Sequence, residues 1–214
     1  MEIIKSAIDL FLHLDEYLQD IIVNYGAWTY GILFVVIFVE TGLVVMPFLP
    51  GDSLLFAAGT FAALGSFNVW GLIGLLIIAA VLGDAVNYSI GHYLGERAYS
   101  IKWIKKEYLD KTHAFFEKHG GKAIFLARFV PIVRTFAPFV AGIGRMSYAY
   151  FATYNVVGGI TWVIIFTLLG YFFGNIPFVK KNFELVIIVI ILVSVLPMVF
   201  EWWKHRQEAK KQAK

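Results

Sequence analysis

The chain has 214 residues, of which 59% are hydrophobic and only 15% charged, with a net charge of +3. A soluble domain carries roughly a quarter charged residues, so this balance excludes an ordinary soluble globule, and the small positive excess argues against nucleic acid as a partner. No cysteine is present, which excludes disulfides and thiolate chemistry. The expected class is an all-α polytopic membrane protein, a single domain over residues 1–214.

In chain order, the start lacks a basic, apolar, small-residue cleavage pattern, so no signal peptide is expected. Residues 1–22 place Ile4, Ile8, Phe11, Leu12 and Leu18 at helical spacing between acidic positions. That pattern fits an amphipathic interfacial helix, and an ordinary surface helix equally. Residues 27–46 are apolar apart from Glu40. Pro47, Pro50 and Gly51 then break any helix, Asp52 follows, and a second apolar arm continues. Broken backbone at membrane depth is tolerated only inside protein or beside a water-filled cavity. Residues 27–66 are therefore expected to form a re-entrant hairpin with its tip at Pro47–Asp52.

Residues 69–94 form a spanning helix carrying Gly83, Asp84, Asn87 and Tyr88. Residues 95–121 are polar, basic and amphipathic. Residues 122–146 are apolar again but contain Arg128 and Arg134, with Pro131 and Pro138 breaking the run and Gly142 near its end. This predicts a second re-entrant hairpin, whose turn is shaped by these prolines and the glycine. Residues 148–175 and 184–203 are predicted to span, and 204–214 to form a basic tail. Trp28, Trp70, Trp162, Trp202 and Trp203 are read as an aromatic belt near segment ends.

Lysine and arginine set the orientation. Segment 95–122 carries Arg97, Lys102, Lys105, Lys106, Lys111, Lys118 and Lys122, and the tail carries Lys204, Arg206, Lys210, Lys211 and Lys214. Both are expected in the cytoplasm, with links 65–68 and 176–183 outside. Lys5 alone leaves the side of the N-terminus open. The two hairpins then enter from opposite faces, an inverted repeat of the kind found in transporters. No close sequence repeat is visible; the symmetry rests on element order.

The intramembrane charges are Glu40, Asp52, Asp84, Arg128 and Arg134. Arginine is always charged, and placing it in hydrocarbon costs several kcal/mol, so two in one apolar segment point to a polar cavity. On an unbroken helix, residues six apart lie roughly 240° around. A turn at Pro131 is expected to bring both guanidinium groups to the hairpin tip, facing Glu40 and Asp52. Guanidinium suits phosphate oxygens, so Arg128 and Arg134 are the head-group candidates. Three acids against two arginines leave one carboxylate over, and Glu40, Asp52 and Asp84 are the candidates for proton coupling or gating. A plainer reading has the arginines pair with Glu40 and Asp52 to hold the hairpins together, and Asp84 hydrogen-bond Tyr88 or Asn87.

No Walker loop, His-Glu-x-x-His helix or metal cluster is present, so neither ATP, a metal nor another cofactor is expected. Ser53 lacks a nearby histidine and His119 lies outside any recognisable phosphatase pattern, so no enzyme activity is expected.

Glu40-Thr-Gly-Leu through Pro47-Phe-Leu-Pro50-Gly51-Asp52, Gly83-Asp84-Ala-Val-Asn-Tyr88-Ser-Ile-Gly91, and Arg128-Phe-Val-Pro131-Ile-Val-Arg134-Thr-Phe-Ala-Pro138-Phe-Val-Ala-Gly142 together resemble the DedA family of bacterial inner-membrane proteins. The resemblance covers about residues 8–203. It implies facing re-entrant hairpins, a bacterial inner-membrane location, and lipid movement across the membrane linked to the proton-motive force. Some members recycle undecaprenyl phosphate and distant relatives scramble phospholipids. Glu40, Asp52, Arg128 and Arg134 match positions the family requires. The expected activity is a flippase for a lipid phosphate, with a polyprenyl phosphate or phospholipid and protons as partners and the question of a homo-oligomer open. The alternatives are a proton-coupled antiporter of a small cation or drug, with the three acids as its site, and a membrane scaffold.

Overall fold

The computed structural model describes residues 28–43, 51–95, 97 and 106–181, omitting the side chains of 106–108, 131, 132, 180 and 181. Stretch 1–22, Pro47 and Pro50, span 184–203 and tail 204–214 lie outside the described residues. Within them the chain is helical, with no strand. The helices are α1 (Trp28–Gly42), α2 (Gly51–Ala63), α3 (Val69–Leu94), α4 (Lys106–His119), α5 (Ala123–Ala127), α6 (Pro131–Ile143), α7 (Tyr148–Gly174) and α8 (Pro177–Lys181).

Two helices are long. At 26 and 27 residues, α3 and α7 run about 40 Å, enough for a ~30 Å hydrocarbon core. Asn68 caps α3 by accepting the Gly71 amide at 2.9 Å, and Gly95 with φ +53° ends it. Ile78, Leu82 and Val86 on α3, and Val157, Ile160, Ile165 and Leu169 on α7, point outward. Apolar residues exposed along both long helices suit lipid, not water. The opposite faces bury Leu72, Leu76, Trp162 and Val163 with Ile37 of α1 and Leu55 of α2.

Helix α1 runs parallel to α3. At one end the Tyr30 hydroxyl accepts the Asn68 amide at 2.8 Å and its ring stands 5.1 Å from Phe67. At the other, Gly42 lies against Gly83, midway along α3. There the carboxylate of Glu40 accepts the Gly51 amide at 3.2 Å, where α2 begins. Helix α2 then returns to the 64–68 link. Both arms thus start and finish at one end of α3, reaching about 20 Å along it.

The second pair of arms repeats the plan on α7. The chain before α5 passes Tyr150 at Gly121, and its end brings Arg128 to Gly158 and Gly159. Val130 is extended (φ −119°, ψ 105°), as the residue before proline prefers, and Pro131 opens α6 at its first turn. Helix α6 then leaves the centre parallel to the second half of α3, Thr135 beside Asn87 and Phe139 against Gly91.

The arms cross the long helices through reciprocal glycines. Gly59 of α2 faces the Thr167 carbonyl while Gly170 of α7 faces that of Phe56; Gly142 of α6 faces the Tyr88 carbonyl while Gly91 of α3 faces that of Phe139. A Cβ at any of the four would collide with backbone, so the helices approach as only small residues allow. The same kind of contact is made twice, and short stretches of sequence resemble each other there: Phe56-Ala-Ala-Gly59 and Phe139-Val-Ala-Gly142, and the glycine spacing of Gly91-His-Tyr-Leu-Gly95 and Gly170-Tyr-Phe-Phe-Gly174. The structure moves two residues. Pro138 sits inside α6 and Gly142 near its far end, so neither shapes the turn before Pro131.

Candidate functional site

One end of each arm (the last turns of α1 and α5, the first turns of α2 and α6) lies between the middles of α3 and α7, bringing all five predicted charged residues together in two separate centres.

In the first centre, Arg128 Nη2 donates to Asp84 Oδ2 at 2.5 Å, Asn155 Oδ1 at 2.6 Å and the Asn155 carbonyl at 3.5 Å. Asn155 Nδ2 in turn donates to the Val81 carbonyl at 3.0 Å, tying α7 to α3 beside the ion pair. The Arg128 and Asp84 side chains are 2% and 6% exposed. Arg128 Nε and Nη1 are buried with no protein partner. The expectation that Asp84 bonds Tyr88 or Asn87 is corrected: the Tyr88 hydroxyl donates to the Met146 carbonyl, and Asn87 Nδ2 donates to the carbonyls of Thr41 and Thr135, each at 3.0 Å. Asn87 thus fastens one arm of each pair to α3.

In the second centre, Arg134 Nη1 donates to Asp52 Oδ1 at 2.6 Å and Nη2 donates to Glu40 Oε1. One guanidinium spans two carboxylates carried by the two arms of the first pair. Glu40 is 4% exposed and its Oε2 is buried without a partner; the Asp52 side chain is 41% exposed. The expectation that Arg128 joins Arg134 opposite Glu40 and Asp52 is therefore only half met. The break at Phe129–Val130 turns the chain, so Arg128 leaves the end of α5 toward α3 and α7, while Arg134 leaves the first turn of α6 toward α1 and α2.

Trp162 stands between the centres. It is fully buried, its ring centroid lies 5.1 Å from Arg134 Cζ and 5.8 Å from Arg128 Cζ, and its Nε1 donates to Asp52 Oδ1 at 2.7 Å. Its assignment to an aromatic belt is thereby overturned, whereas Trp28 and Trp70 are 76% and 70% exposed at helix starts, as a belt requires. Sequence reading missed Trp162 and Asn155. The available signal was their place in the middle of a spanning helix, where a side chain able to hydrogen-bond needs a partner.

The family described as VTT domain matches residues 49–172. Protein DedA of Escherichia coli (strain K12) is 56% identical over the whole of both chains. The chain belongs to the DedA family. An uncharacterized membrane protein of Mycobacterium leprae (strain TN) is 44% identical over 84% of this chain and 82% of its own. The inner membrane protein YqjA of Escherichia coli (strain K12) is 37% identical over 80% and 79%. No solved structure matches the chain. With its two long apolar helices, this DedA-family chain is a membrane protein.

Proposed function

We propose that the chain moves a lipid phosphate across the bacterial inner membrane, undecaprenyl phosphate or a related phospholipid, and that protons drive it. In this reading α1–α2 and α5–α6 are re-entrant hairpins of an inverted repeat entering from opposite faces, with the basic segment 95–121 and the C-terminus in the cytoplasm. The reciprocal glycine contacts and the short similar stretches of sequence around them support the repeat. The activity is transport without covalent chemistry.

One observation carries the reading: a single arginine, Arg134, is held by two carboxylates where the two pairs of arms meet. Guanidinium is the side chain best shaped for phosphate, and a carboxylate can be exchanged for a phosphate oxygen without loss of the donor's bonds. Two acids sharing one cation leave a negative charge that a proton can neutralise, releasing Arg134 for the head group. Glu40 and Asp52 are then the proton-coupling pair. Asp84, locked to Arg128, is a tie and not a relay.

The test is reconstitution in liposomes carrying a fluorescent polyprenyl phosphate, following loss of the outer-leaflet label with and without a proton gradient. Wild-type protein accelerates the movement, and Arg134→Lys abolishes most of it. A second reading, proton-coupled antiport of a small cation, draws on the unpartnered Glu40 Oε2 beside the half-exposed Asp52. Cation-driven proton flux without lipid movement in the same vesicles would favour it.

A further inference from the structure

Asp52 Oδ1 accepts two hydrogen bonds at once, from Arg134 Nη1 at 2.6 Å and from Trp162 Nε1 at 2.7 Å. Neither donor can accept a hydrogen bond, and they come from different helices, α6 and α7. A cation and an indole N–H aimed at one point make a place for an anion. The anion filling it belongs to the chain itself, on the first turn of α2. Of the residues around this point Asp52 is the most exposed, its side chain 41% open, while Trp162 is fully enclosed. The acceptor is thus the part that can leave, and the donors are the part that stays. Were Asp52 to withdraw, Trp162 would keep a buried, unpaired N–H, which any incoming acceptor would relieve.

We propose that Asp52 stands in for the substrate's phosphate, and that Trp162 is a phosphate-binding residue, the second donor of the site beside Arg134. This rests on the lipid-phosphate reading above and names the atoms that receive the head group. Both hydrogen bonds pass from Asp52 Oδ1 to a phosphate oxygen, so the exchange conserves them. The indole face, beside both guanidinium groups, holds Arg134 in position while its partner changes. The two donors, Arg134 Nη1 and Trp162 Nε1, select a phosphate monoester or diester over the corresponding alcohol.

The experiment uses the full-length chain in detergent micelles, equilibrium binding of radiolabelled farnesyl phosphate, and farnesol as the phosphate-free control. Wild-type protein is expected to bind farnesyl phosphate saturably and farnesol not at all. Trp162→Phe keeps the ring and removes the N–H, and should weaken binding about tenfold, as loss of a hydrogen bond to a charged group does. Asp52→Ala removes the internal competitor and should tighten binding about threefold or more; if it does not fold, Asp52→Asn decides with the same sign. A variant with Trp162 as its only tryptophan (Trp28, Trp70, Trp103, Trp202 and Trp203 replaced by Phe) should change emission over the same concentration range. Unchanged binding by Trp162→Phe, weakened binding by the Asp52 variant, or emission indifferent to saturating farnesyl phosphate overturns the assignment of Trp162 and Asp52. If wild-type protein does not bind farnesyl phosphate, the lipid-phosphate reading falls first and this inference with it.

Discussion

Arg128 and Arg134 belong to one motif and differ in almost every physical respect. Arg128 faces one carboxylate and one amide in a sealed, formally neutral centre. Arg134 faces two carboxylates, one of them 41% exposed, in a centre with a surplus negative charge. A sealed neutral pair has nothing to exchange with, and removing one member strands the other in low dielectric. A partly open, overcrowded centre can give up one acceptor for another. Motif membership therefore does not assign a common role: Arg128 ties the end of α5 to α3 and α7, and in the proposed function Arg134 is the group that exchanges partners.

The sharpest way to break this comparison is to remove a member of the sealed pair. Arg128→Ala or Asp84→Ala should each cost about 3–5 kcal/mol, the penalty for an uncompensated buried charge. It is read as a fall in thermal midpoint in detergent and in membrane protein level. Arg128→Leu with Asp84→Leu should recover much of that loss. Next come the helix crossings. Gly59→Val and Gly142→Val each press a side chain into a backbone carbonyl, and each should cost about 1–3 kcal/mol. Two similar losses would sharpen the repeat, and a loss confined to one site would argue against it. Asn87→Ala deletes two hydrogen bonds to opposite arms and should lower stability by about 1–2 kcal/mol, measured by the same melts. The smallest change in stability is expected from Arg134→Lys, about 1 kcal/mol, because the charge stays while a hydrogen bond of the fork is lost. Transport should still fall at least about tenfold, since a point-like ammonium does not reproduce the planar fork. A variant that melts early and still transports would reverse the roles assigned to the two arginines.

Much of this architecture was legible along the chain. The spans 69–94 and 148–175 were set by long, mainly apolar runs, and α3 and α7 follow them within a residue. The break at Pro131 announced a short arm because proline lacks an amide hydrogen and clashes with the preceding turn. The intramembrane charges announced a polar centre because hydrocarbon does not tolerate them alone. The assignment of partners was not legible in the same way. Reading outward from Pro131, both arginines belong at one tip; Asp84, on a separate helix, looks available only to its own neighbours.

What the chain determined by itself is local or one-dimensional: where it is apolar, where a helix must stop, and which few polar groups must find company inside. Tertiary structure decided who that company is. The crossings at Gly59 and Gly170 set the depth of α2 on α7, and Gly158 and Gly159 admit Arg128 at the end of α5; only such depths put Asp84 beside Arg128, 44 residues away, and Trp162 beside Asp52, 110 residues away. Hydrophobicity is additive along a sequence, whereas a hydrogen bond depends on position to within a fraction of an ångström. Such positions exist only once the helices have packed.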